Sequence, residues 1–288
     1  MTDSTLENEV WLQRLREAGP VPQSRGGDLA GGPLPADLIP GYELLAEIGR
    51  GGQGIVFSAL QVQTSRIVAL KLLHDGPLAS ASAERRFQRE IELSSALNHA
   101  GVLTIFDAGV AQDGRRFVVS RLLKGQPLDQ WLENEQPTFE QRLDVILQLC
   151  RALEHAHQRG VIHLDLKPSN VMVSASGKVC ILDFGLARLL EHSANHSLSI
   201  GMIAGTPAYM APEQINQNPA NWDTRTELYA LGVLLFEVIA GRAPFSGDGT
   251  PLEVLKAVET TLPPSLQTLV QNQIPRQRGR DLDAICKP

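Results

Sequence analysis

From Tyr42 to Val119 the apolar residues fall in short runs rich in β-branched and aromatic side chains: Tyr42–Ile48, Ile55–Leu60, Ile67–Leu73, Leu103–Asp107 and Phe117–Val119. Runs of this length and composition predict strands. One stretch, Ala83–Leu97, changes to helical spacing. Phe87, Glu90, Ile91 and Ser94 share a face of it, and Glu92 points about 100° away from Ile91. Beyond Gly125 helical periodicity takes over. Phe139–Gln158 is amphipathic, with a Thr138/Gln141 capping-box pattern at its start and Gly160 placed to end it. Thr226–Ala240 is a second, more apolar helix that stops at Gly241. Between them lie two short apolar runs, Val171–Val173 and Val179–Leu182, each beside a polar loop. The pattern predicts an α+β fold with two lobes and a cleft between them: a small antiparallel sheet with one main helix, then a larger, mainly helical lobe. No internal repeat is evident.

The N-terminal residues read differently. Residues 3–18 carry Leu6, Val10, Trp11, Leu12 and Leu15 at spacings that allow a short helix. Gly19 to Pro40 is dense in glycine and proline and reads as a linker. The expected organisation is a flexible extension over residues 1–40, a first lobe over 41–121 and a second over 122–288.

Composition narrows the class. Of 288 residues, 43% are apolar and 20% charged, as in an ordinary globular protein, and the net charge of −6 argues against nucleic acid as the main partner. Three dispersed cysteines form neither a disulfide framework nor a metal cluster, which points to a reducing, cytoplasmic setting. Met1 to Glu9 is polar and acidic, unlike a signal peptide. No apolar run reaches the roughly 18–20 residues that span a bilayer. Membrane association would need a segment beyond Pro288.

The chemistry lies in the loops. Gly49-Arg50-Gly51-Gly52-Gln53-Gly54 fits G-x-G-x-x-G, whose glycines let backbone N–H groups approach phosphates; the plainer reading is a flexible turn. Ile55-Val56-Phe57 favours a strand after it, not the helix of a dinucleotide fold. In Val68-Ala69-Leu70-Lys71 a lysine stands in an apolar strand and calls for an anionic partner, unless it lies on the solvent side of an edge strand. Glu90 could pair with it; the alternative is an exposed surface glutamate. In His163-Leu164-Asp165-Leu166-Lys167-Pro168-Ser169-Asn170, Asp165 can orient a hydroxyl proton, Lys167 can neutralise a transferring phosphoryl group, and Asn170 offers a neutral oxygen to Mg²⁺. Asp183-Phe184-Gly185 follows a strand and supplies a second carboxylate.

With Gly205-Thr206-Pro207-Ala208-Tyr209-Met210-Ala211-Pro212-Glu213, these motifs in this order resemble the eukaryotic-like protein kinase family, particularly its bacterial Ser/Thr members, over about Tyr42 to Ile285. The resemblance implies an ATP- and Mg²⁺-dependent kinase acting on a Ser or Thr hydroxyl of a protein. Gly49, Gly51 and Gly54 would cover the ATP phosphates. Lys71 would hold the α- and β-phosphates and pair with Glu90. Ile48, Val56, Ala69, Ser120, Arg121 and Leu123 would complete the nucleotide site. Asp165 would be the catalytic base, Lys167 would steady the γ-phosphate, Thr206 would lie near the acceptor hydroxyl, and Asn170 and Asp183 would hold Mg²⁺.

Four departures stand out. Leu164 replaces the arginine of H-R-D, which in the family pairs with an activation-loop phosphate. Glu227 replaces an aspartate that braces the catalytic-loop backbone, and its extra methylene predicts a looser brace. Ser120 is small where the family usually has a larger side chain behind the adenine. Arg121 replaces a common acidic residue. Toward the C-terminus the family supplies an arginine for the glutamate of A-P-E, which here is Glu213. Glu213 is solvated, or another arginine substitutes, or the chain is a fragment; the fragment is the expectation. Two rivals share these motifs in part: a pseudokinase that only binds nucleotide, and a small-molecule phosphotransferase, which lacks the peptide-docking Gly205–Glu213 segment.

Overall fold

Strands β1 (Tyr42–Gly51), β2 (Gly54–Gln61) and β3 (Arg66–Leu73) form successive antiparallel pairs, and β4 (Ile105–Val110) and β5 (Arg116–Arg121) complete a sheet ordered β1-β2-β3-β5-β4. The structure is a computed structural model describing residues 37–74, 81–184, 207–215, 222–245, 250–270 and 276–286, without the side chains of 81–84, 86, 90 and 276. The helix expected over 3–18 therefore lies outside the described residues, as do Gly185 and Thr206.

The period-2 pattern sets which face of the sheet is buried. Val68, Leu70 and Leu72 of β3 are fully buried and pack with Ile55, Phe57, Phe117 and Val119. Leu38 and Ile39 join the same core, and the Leu38 carbonyl accepts a hydrogen bond from Gln112 N at 2.9 Å. These two residues stand just before the expected start at Gly41.

The chain forms two compact units, one of residues to Arg85 with Thr104–Leu123, the other of Arg86–Leu103 with Lys124 onward. Helix α1 (Ala81–Ser95) spans the first of these junctions. The run expected as a strand over Leu103–Asp107 is divided at the second. Val102 bridges to Ile181 and Leu103 N donates to the Ile181 carbonyl at 2.9 Å, so β4 starts only at Ile105.

In the second unit a short strand β6 (Gln126–Pro127) pairs with β7 (Val171–Val173), which pairs with β8 (Val179–Ile181). Among the described residues this unit also holds helices α2 (Leu128–Glu135), α3 (Phe139–His157), α4 (Pro212–Ile215), α5 (Thr224–Ala240), α6 (Pro251–Thr260), α7 (Leu266–Leu269) and α8 (Arg276–Cys286). The capping box at Thr138/Gln141 is formed, and α5 gains its own from Asp223 and Thr226. Gly241 ends α5 in the left-handed conformation at φ 77°. Arg142 of α3 donates to the α5 carbonyls of Val238 and Ile239 at 2.9 and 3.3 Å. These orphan carbonyls are thereby satisfied, and the two longest helices are tied together. Gln148 of α3 pins the β7–β8 hairpin, donating to the Gly177 carbonyl at 2.9 Å and accepting from Val179 N at 3.0 Å. The loops beside β7 and β8 thus rest on a fully buried helical core.

Candidate active site

The glycine-rich segment is the β1–β2 hairpin. Gly51 pairs with Gly54 across a turn at Gly52 and Gln53. A Cβ at Gly54 would lie 2.3 Å from the Leu72 carbonyl oxygen, so packing alone requires glycine there. A Cβ at Gly51 would meet nothing within 4 Å, so nothing in the protein's own packing demands glycine at that position.

Register gathers most of the sheet residues expected around a nucleotide. Gly49, Val56, Lys71 and Val118 form one cross-strand row, and Ser58, Ala69, Ser120 and Ile105 form another. Directly opposed residues point to the same face, and so do Ala69 and Lys71 at spacing two. Lys71 therefore lies on the face opposite Val68, Leu70 and Leu72. Because β3 is interior to the sheet, Lys71 is not on an edge strand. Its ammonium donates to Gln53 Oε1 at 2.7 Å. Ile48 is 46% exposed on β1, Ser120 is buried, Arg121 is exposed at the end of β5, and Leu123 is half-buried just beyond it.

On α1, Phe87, Ile91 and Ser94 are buried and Glu92 is exposed, as the 3.6-residue period requires. The Glu90 side chain lies outside the described residues. The Ser94 hydroxyl donates to the Phe184 carbonyl at 2.8 Å, which ties α1 to the D-F-G segment within the second unit.

The loop from His163 to Asn170 is held from several directions. Glu227, buried in the first turn of α5, accepts from His163 N through Oε1 at 2.7 Å. Its other oxygen is bonded to His157 Nε2 on α3. The looser brace expected of glutamate is not what forms: the longer side chain reaches the amide and also engages His157. Asp165 N donates to His163 Nδ1 at 3.2 Å, so Nε2 carries the imidazole proton and donates to the Leu182 carbonyl at 2.6 Å. The imidazole is in edge contact with the Phe184 ring at 4.9 Å. Gln214 donates to the Leu164 carbonyl at 3.1 Å.

The polar groups converge on Asp165. Lys167 Nζ donates to both its carboxylate oxygens at 2.9 and 2.7 Å. Asn170 Nδ2 donates to the Asp165 carbonyl at 2.8 Å and to Oδ2 at 3.0 Å. With its nitrogen so engaged, Asn170 turns Oδ1 elsewhere as an acceptor, the donor type a hard cation takes. Leu182 N bonds the Asn170 carbonyl at 2.9 Å, joining the loop to the residue before Asp183. Leu164 and Asp183 both adopt left-handed backbone, at φ 65° and 52°. For residues other than glycine this costs about 1–3 kcal/mol each and clusters at working sites. A carboxylate and a carboxamide oxygen beside an Asp–Lys pair fit an Mg²⁺-phosphate and a hydroxyl acceptor. Thr206, the remaining expected catalytic residue, lies outside the described residues.

Beside this loop, Glu213 takes a hydroxyl partner. Its Oε1 accepts from Thr226 Oγ1 at 2.6 Å, and Trp222 donates to its backbone carbonyl at 3.2 Å. Among the described residues no arginine forms an ion pair with it. Tyr209 donates to Glu237 Oε2 at 2.5 Å. Burial pushes the Glu237 carboxyl above the ordinary range and the Tyr209 phenol well above its own. The sequence alone gave no signal for His157, Gln214 or Gln53, whose contacts come from elements distant in the chain or from the inside of a turn.

The family model described as the protein kinase domain matches residues 42–282. The chain belongs to the protein kinase family. The serine/threonine-protein kinase pkn3 of Myxococcus xanthus is 39% identical over 214 residues, covering 72% of this chain and 39% of that protein. The serine/threonine-protein kinase PknB of Mycobacterium tuberculosis is 35% identical over 258 residues, covering 87% of this chain and 40% of its own length. The kinase chain thus spans well under half the length of these relatives. In fold it matches a crystal structure of the Mycobacterium tuberculosis PknI kinase domain with a TM-score of 0.65 at 24% identity, covering 88% of this chain and 91% of that one. As in the expected kinase fold, an antiparallel-sheet unit accompanies a helical one.

Proposed function

We propose that this chain is an ATP- and Mg²⁺-dependent protein serine/threonine kinase. The observation that carries the reading is Asp165, with Lys167 on both carboxylate oxygens and Asn170 on its backbone and side chain. In this reading the substrate hydroxyl oxygen attacks the γ-phosphorus, the bond to the ADP oxygen breaks, and the hydroxyl proton passes to Asp165. Lys167 meets the charge on the transferring group. Asn170 and Asp183 would hold Mg²⁺, which would supply neutralising charge to the phosphates. Lys71 and the Gly49–Gly54 hairpin would hold the phosphates, with Glu90 the expected partner of Lys71. Ile48, Val56, Ala69, Ser120, Arg121 and Leu123 would surround the base, and Thr206 is the residue expected to act near the acceptor hydroxyl.

The substrate is a protein with a Ser or Thr acceptor, and the setting is cytoplasmic. Among the described residues no helix is long and apolar enough to cross a membrane. The functional division follows residues 41–121 and 122–288, with 1–40 as an extension.

The test is Mg²⁺-dependent labelling of a generic basic protein from γ-labelled ATP, with Asp165→Asn as comparison. Loss of a general base lowers the rate by about 10²–10⁴-fold. Equal labelling by the two proteins would remove Asp165 from the mechanism. ATP binding by the unaltered chain with no labelling of protein, aminoglycoside or choline would favour a nucleotide-binding scaffold.

A further inference from the structure

We propose that Gln53 is a phosphate-binding residue of this chain, its side-chain amide nitrogen donating to the same phosphoryl group that Lys71 approaches. The inference rests on reading the hairpin as a nucleotide site, and it assigns a role to a side chain where that reading uses only glycine backbone.

The argument starts from what a lysine can do. An ammonium group donates and never accepts, so the amide atom facing Lys71 Nζ at 2.7 Å has to be the oxygen of Gln53. That orientation turns the NH₂ group away from Lys71. Among the described residues the Gln53 nitrogen has no hydrogen-bond partner, while the side chain is half-buried.

Two backbone ties hold the residue there. His74 N donates to the Gln53 carbonyl at 3.1 Å, and the His74 ring nitrogen meets the Gly51 carbonyl at 3.0 Å. The turn is therefore anchored to His74, the residue after β3 and three positions past Lys71. The result is an ammonium and a carboxamide in contact, with Lys71 on the sheet face that carries Val56 and Ala69. Adjacent donors with positive charge fit an oxyanion.

Binding of Mg²⁺ with a non-hydrolysable ATP analogue, measured by calorimetry beside adenosine, tests this in Gln53→Met and Gln53→Glu. Methionine keeps the length and removes the donor. Glutamate keeps an acceptor for Lys71 but turns a negative oxygen toward the phosphate. The expected result is an analogue Kd raised by about threefold to tenfold in Gln53→Met and by more in Gln53→Glu, with adenosine affinity unchanged in both. Wild-type affinity for the analogue in Gln53→Met would overturn the proposal. Tighter binding there would also overturn it, by showing that Gln53 competes with phosphate for Lys71. Equal losses for adenosine and the analogue would show a damaged fold in place of a lost phosphate contact. Absence of nucleotide binding by the unaltered chain would remove the kinase reading itself, a different failure from normal binding that ignores Gln53.

Discussion

The Glu227 carboxylate on α5 accepts from the backbone amide of His163 at 2.7 Å, and both residues are buried. A helix of the core thereby sets the path of the loop that carries Asp165. The same carboxylate is shared with His157 on α3, so two helices meet at one carboxylate. Replacing Glu227 by alanine strands a buried N–H donor at a cost of about 1–3 kcal/mol. Glu227→Gln keeps an acceptor oxygen for that amide and is expected to lose less. Urea unfolding midpoints and the exchange rate of the His163 amide check this; equal exchange in wild type and Glu227→Ala would discard the brace.

Leu164 stands where an arginine would bind a phosphate on the activation segment, and an aliphatic side chain cannot make that bond. The Leu164 carbonyl is instead held by Gln214. Activity should survive complete phosphatase treatment. Its abolition by phosphatase would show that another cation reads such a phosphate.

Ser120 lies buried on β5, opposed to Ala69 of β3 and Ile105 of β4. A side chain this small leaves room that a larger one would fill, so ATP analogues bulky at N6 should bind well. Ser120→Met should weaken them about tenfold or more while sparing ATP, since overpacking costs about 1–3 kcal/mol. Competition binding that finds no difference between the two proteins would refute the role.

Glu237 is expected to make stability depend on pH. Burial raises its carboxyl, the bond from Tyr209 opposes the rise, and Asp129 adds to it. A raised folded value means that the stabilising contribution of the protonated form is complete below the unfolded value of 4.5 and is lost as pH climbs through the raised one. Glu237→Gln keeps an acceptor for Tyr209 without the charge. Its thermal midpoint should exceed wild type at about pH 7–8, where the wild-type carboxylate is ionised. The gap should close below pH 4.5. A constant gap across that range would mean that the carboxylate is not the cause.

Much of this protein is local in origin and therefore readable along the chain. The strands alternate, the helices carry their period and caps, and G-x-G-x-x-G, H-x-D-x-K-x-x-N and D-F-G are contiguous, so residue order alone pointed to the family. What residue order left open are relationships made across sequence distance. Lys71 proved interior because β5, more than forty positions later, pairs beside it. Leu103 went to Ile181 and not to a strand with its neighbours, since the backbone groups of that segment found partners in the second unit. The reach of Glu227 to His163 and His157 together, and the turn of Gln53 over Lys71, depend on where helices and hairpins pack. Periodicity and motif spacing carry no information about that, because hydrogen-bond partners are chosen by three-dimensional proximity.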